Sequence, residues 1–152
     1  MWKPNAASWP CAEPSPTLKA VLDTCILRLA TFPKPDNPAA LIFKLAVEGL
    51  VECWVSPPIL DEYIAVLADE PEVLGLIHEH FELCYPLVEL DYVRHEPDNR
   101  FLECALAVNA DWLVTVNTAR GHFDRKSYGT TRVITPGTFV NLQELQPLIA
   151  RL

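Results

Sequence analysis

No stretch of this chain approaches the run of about 18 apolar residues that a membrane-spanning helix needs. Glycine is scarce, with 5 in 152 residues. None of the five builds a Gly-rich phosphate loop or a Gly-x-Ser-x-Gly elbow, and no strand end reads Asp-x-Asp. Those absences disfavour a P-loop nucleotide binder, an α/β-hydrolase and a receiver domain. Cysteine occurs five times, at Cys11, Cys25, Cys53, Cys84 and Cys104, without a Cys-x-x-Cys pair. Four of them lie in apolar segments, so the expected state is buried reduced thiols, not a zinc site or a disulfide frame. Positive charge is also short: 12 Lys and Arg against 20 Asp and Glu give a formal net charge of -8. That balance argues against broad nonspecific binding to nucleic acid, which depends on neutralising phosphates. It leaves open an enzyme that meets phosphate through cations held by carboxylates.

What is present is an ordinary core-forming composition, 50% apolar and 21% charged, at a length that favours one domain. Residues 1–17 carry Pro4, Pro10, Pro14 and Pro16 without periodicity. They are expected to form a poorly ordered extension, with residues 18–152 as a single domain. The extension has no apolar core of the signal-peptide kind, so a cytoplasmic location is the expectation.

Short apolar runs alternate with helical patterns. Strands are expected at Lys19–Leu22, Glu52–Val55, Leu87–Leu90, Trp112–Val116 and Arg132–Ile134. Between them, Asn37-Pro38 and Ser56-Pro57 pair a capping residue with proline at the first helical position. Helices are expected over Thr24–Ala30, Ala39–Glu48, Pro58–Ala68, from Pro71 onward, over Pro97–Asn109 and over Leu142–Leu152. This alternation implies an α/β fold: a three-layer α/β/α sandwich on a central parallel sheet of about five strands.

In such a sheet the helix after a strand starts at that strand's C-terminal edge, where ligands gather. Asp23 closes the first strand, and Glu62 lies in the second turn of the helix after strand two. Asn117 follows strand four. Asp98 reaches the same rim if its helix follows strand three directly. Carboxylates drawn together repel unless protons or a cation neutralise them. An all-oxygen set of this kind suits Mg2+ or Mn2+ and phosphate chemistry. Each acid alone also has a plain structural role. Asp23 can be an N-cap, Asp98 a first-turn acid favouring the helix dipole, and Glu62 a solvated helix flank beside Asp61. Glu103 is equally open. Arg120, Arg125, Lys126 and Arg132 cluster just after Asn117, as either a basic lip or a solvated loop.

Taken together, these residues resemble the PIN domain, the nuclease fold of VapC-type toxins. Val21 to Ile26, VLDTCI, is similar to the family's opening strand with its Asp-x-Asn box. Ser56 to Leu67, SPPILDEYIAVL, is similar to its serine-then-glutamate helix and places Glu62, not Asp61, on the second acid. The strongest match is Asp98 to Asn117, DNRFLECALAVNADWLVTVN, followed by VITPGTFV at Val133 to Val140. The resemblance runs from about Leu18 to Val140. Its closest branch is described as toxin components of toxin–antitoxin systems, with a basic residue and His-Phe after the last box, as at Arg120, His122 and Phe123.

Two positions depart from the family pattern. Cys25 stands where asparagine is usual, which removes a steadying hydrogen bond. Asn117 stands where many members have a fourth aspartate, which leaves three carboxylates, enough for one divalent ion.

The resemblance implies a Mg2+- or Mn2+-dependent endoribonuclease, the toxin of a type II toxin–antitoxin pair. Asp23 and Asp98 would bind the metal, and Glu62 would bind it or orient the attacking water. Asn117 would complete the shell, with Thr24 and Thr115 as supports. Arg120, His122, Arg125 and Lys126 would contact substrate phosphate. RNA, a cognate antitoxin protein and a second copy of the chain are the implied partners. The alternative, motivated by Cys25 and Asn117, is a catalytically weakened module that binds RNA or protein.

Overall fold

In the computed structural model, which describes residues 17–152, the sheet is centred on β1 (Lys19–Leu22). Ala20, Val21 and Leu22 have no solvent exposure. β1 pairs in parallel with β2 (Glu52–Val55) on one side and β4 (Trp112–Val114) on the other. β3 (Glu82–Leu83) adds beyond β2 and β6 (Thr131–Ile134) beyond β4, both in parallel. β5 (Ser127–Tyr128) closes the outer edge antiparallel to β6, giving the order β3-β2-β1-β4-β6-β5. The expected α/β fold is therefore present, on a mostly parallel sheet of six strands. The expected extension lies outside the described residues except for Thr17, as does Cys11.

Among the described residues seven α-helices accompany the strands: α1 (Thr24–Ala30), α2 (Pro38–Val47), α3 (Pro57–Val66), α4 (Pro71–His80), α5 (Asn99–Ala107), α6 (Pro136–Val140) and α7 (Gln146–Ile149). Their starts follow local chemistry. Asn37 Oδ1 accepts the backbone N–H groups of Ala39 at 3.0 Å and Ala40 at 3.4 Å, satisfying donors a helix leaves orphaned. Proline stands in the first turn of α2, α3, α4, α6 and α7, where its missing N–H costs nothing. Past α2, Gly49 takes φ +72, a conformation a side chain would disfavour. α5 packs against β1, β2 and β4, while α2 packs on both α1 and α6. Trp112 of β4 meets Phe139 of α6 edge-on, with ring centroids 5.1 Å apart.

Three expectations about the elements require correction. The third strand is Glu82–Leu83, not Leu87–Leu90. It begins as soon as α4 ends, and Cys84 N–H extends its pairing to the Val55 carbonyl at 2.8 Å. Pairing next to β2 is thereby taken, and Leu87 is left 97% exposed. Strand four stops at Val114, because Val116 is turned to solvent. The helix expected over Leu142–Leu152 is a 3-10 turn, Gln143–Leu145, followed by α7. Pro147 cannot donate to a preceding turn, so a fresh helix starts there. β5 was not expected at all. Two residues are too few to show an alternating pattern.

Candidate active site

Asp23 leaves β1 in an extended conformation and is the N-cap residue of α1, yet its side chain makes no capping hydrogen bond. The carboxylate turns instead to the end of β4. Its Oδ2 accepts Thr115 Oγ1–H at 2.7 Å and Asn117 Nδ2–H at 3.1 Å. Asn117 N–H in turn donates to Thr115 Oγ1 at 2.8 Å, a side-chain-to-backbone turn that bends the chain out of the sheet. Thr115 therefore bridges the two site residues. Burial pushes the Asp23 pKa up, Thr115 opposes that shift, and the charge of Asp98 raises it further. The Cys25 thiol also faces this carboxylate and favours its charged form.

Asp98 is likewise buried, and likewise makes no capping hydrogen bond at the start of α5. Its Oδ2 lies 2.9 Å from His122 Nδ1. His122 stacks at a tilt on His95, with ring centroids 4.9 Å apart. Asp23 thus does not perform the capping role that was its plain alternative, while Asp98 does stand in a first helical turn. Glu62 is half-buried while Asp61 is exposed, and Glu62 Oε2 accepts a hydrogen bond from Thr24 Oγ1. This bond ties α1 to α3 one residue after Asp23.

The link before Asp98 is fixed by Asn99, which is fully buried. Its Oδ1 accepts Tyr92 N–H at 2.8 Å and Val93 N–H at 3.0 Å, and its Nδ2 donates to the Val93 carbonyl at 3.1 Å. Glu103 is structural too. It takes Leu90 N–H at 2.9 Å and an ion pair from Arg100 at 2.9 Å.

Beside Asp98 lies a polar recess of about 290 Å³ whose walls include Tyr92, Arg94, Arg120, His122, Asp124 and Arg125. His95 N–H, donating to the Gly121 carbonyl at 2.8 Å, joins the two loops that form it. Among the described residues Arg94, Arg120 and Arg125 make no ion pair. Arg28, Arg100 and Arg132, by contrast, are each paired with an acid. Lys126 is exposed and does not line the recess.

A profile described as PIN domain matches residues 19–119. The chain belongs to the PIN domain family. No curated protein matches it. PIN domains are generally nucleases, and generally depend on a divalent metal.

Among the described residues, no three His, Cys, Asp or Glu side chains of this PIN domain converge closely enough to cage a metal. The donor chemistry nonetheless fits a hard cation. Asp23 and Asp98 are buried carboxylates whose charges repel across the rim. Mg2+ is commonly held by one or two carboxylates, with waters and substrate phosphate completing its shell.

Arg94, His95 and Asn99 were not among the residues expected at the site. A buried Asn in the first helical turn is costly unless it bonds to nearby backbone, so Asp98-Asn99 carried a readable signal. The Arg94-His95 pair carried only charge, because its approach to His122 comes from folding.

Proposed function

We propose that this PIN domain is a Mg2+- or Mn2+-dependent endoribonuclease, acting as the toxin of a type II toxin–antitoxin pair in the cytoplasm. The observation that carries the proposal is the position of Asp98. It faces Asp23 electrostatically on one side and, through His122, adjoins a recess of three unpaired arginines on the other. Asp23 and Asp98 would hold the metal, which when bound supplies charge neutralisation and activates water for attack on phosphorus. Thr115 and Asn117 fix Asp23 Oδ2. Glu62, gripped by Thr24, would complete the shell or orient the attacking water. Arg94, Arg120 and Arg125 would seat the phosphate backbone, and His122 would orient Asp98 towards it. Lys126 contributes field, not contact.

A titration of Mg2+ or Mn2+ against cleavage of single-stranded RNA, with single-stranded DNA in parallel, tests this. Expected is cleavage of RNA only, abolished by chelation and by Asp98→Asn. Cleavage that ignores metal or survives the substitution would sink the proposal.

A second reading is a binding module with weakened catalysis. It is favoured by the two neutral donors already on Asp23 Oδ2. Tight RNA or protein binding without turnover at any metal concentration would select it. An antitoxin covering the rim and a homodimer complete the proposal. Co-expression with a small DNA-binding protein encoded beside this chain, followed by light scattering of the free and mixed proteins, tests both.

A further inference from the structure

Cys84 continues the edge of the sheet directly after β3 and is half-buried. Cys104 sits in α5 with no solvent exposure. They are 20 positions apart in sequence, yet their sulfurs lie 3.1 Å apart, with both thiols free. A formed S–S bond measures about 2.05 Å, so closure requires a movement of about 1 Å shared between two side chains.

The four described cysteines also differ in reactivity. Burial pushes the Cys25 and Cys53 thiols up to about 12, which makes them poor nucleophiles. Cys84 is held below the usual thiol range by its hydrogen bond with Cys104, whose own thiol that bond raises. A half-exposed sulfur whose thiol is the more acidic of the two, 3.1 Å from a buried neighbour, is the arrangement of an attacking and a resolving thiol.

We propose that Cys84 and Cys104 are a reversible oxidation site that closes an intramolecular disulfide under hydrogen peroxide. The Cys84 sulfur attacks one peroxide oxygen and the O–O bond breaks. This gives a sulfenic acid at Cys84 and a hydroxide that takes up a proton. The Cys104 sulfur then attacks the Cys84 sulfur. An S–S bond forms, and the displaced hydroxide leaves as water with the Cys104 proton. The thiols together lose two electrons, and one peroxide becomes two waters. The bond staples the β3 edge to α5 and encloses the link carrying Arg94, His95 and Asp98. Closure of this bond does not depend on nuclease activity.

The test is thiol mapping on the full chain. Reduced protein is treated with limiting peroxide, alkylated and digested with trypsin, which cuts after Arg94 and Arg100 and so separates the two cysteines. Expected is loss of two alkylatable thiols of the five present and a linked peptide pair, Cys84 to Cys104, released by dithiothreitol. Cys84→Ser, at the half-exposed position, is expected to yield no linked pair and an alkylatable Cys104 after denaturation. In Cys104→Ser, the sulfenic acid should accumulate at Cys84 and be captured by dimedone. Three results would each overturn the proposal: both cysteines still free after peroxide, oxidation confined to Cys25 or Cys53, or Cys84 linked between two chains.

Discussion

Asp23 and Asp98 are both buried aspartates at the start of a helix, and neither uses its carboxylate to cap that helix. Their neighbours differ in kind. Asp23 is held by two neutral donors from the end of a central strand. Asp98 is held by an imidazole from a surface loop, beside unpaired guanidinium groups. The first arrangement belongs to the core: it costs no net charge and moves only if the sheet moves. The second belongs to the surface, where a loop and whatever binds it can act on the acid. One rim thus carries a rigid acid and a responsive one.

Removing either acid tests what they share. Under the proposed function, Asp23→Asn and Asp98→Asn should each lower metal-dependent RNA cleavage by about 10²-fold or more, the scale of losing one preorganised electrostatic contact. Initial rates at saturating Mg2+, with circular dichroism as a folding control, check this. Thr115→Val then breaks the Asp23 side alone. It strips a buried bridge and leaves polar groups unpaired, so unfolding should become easier by about 1–3 kcal/mol. A denaturant titration measures that loss, and Thr115→Ser should largely restore it.

His122→Ala breaks the Asp98 side. It should weaken metal response by about tenfold, as loss of an outer-shell partner does, while the denaturant midpoint stays close to wild type. If Thr115→Val and His122→Ala have the same effect on stability, the contrast between the two acids is wrong. Weaker still, Arg94→Ala combined with Arg120→Ala should flatten the salt dependence of RNA binding by about one unit of slope per lost phosphate contact. Fluorescence anisotropy across a salt series reads this directly. At the bottom of the scale, Asp69→Asn removes the exposed pair with Arg28 and should leave the melting temperature unchanged, as is usual for surface ion pairs.

Much of the frame was legible because its signals are local. Lys19–Leu22 and Glu52–Val55 are short buried runs bounded by polar residues, and both strands form where expected. Asn37-Pro38 marks a helix start by a mechanism that needs no distant partner. The third strand was misplaced for the opposite reason. Leu87–Leu90 is the more apolar stretch, but pairing with β2 is decided by where α4 releases the chain. In the site, boundary positions were enough to nominate Asp23, Asp98 and Asn117. Which donor meets which oxygen was not legible, since Asp98 and His122 are 24 positions apart. Glu103 shows the converse. It is buried and ion-paired for structural reasons that spacing along a helix does not reveal.

The two outermost strands, β3 and β5, are only two residues long each. Exposed edges are the usual template for runaway strand addition between molecules, and short edges remove most of that template. Arg125 and Lys126, immediately before β5, add like charge to any two such edges brought together. Both short edges thus disfavour growth of the described sheet from one molecule into the next, and the charge adds to this at the β5 edge. Concentrated solutions are therefore expected to resist fibril formation through these two edges.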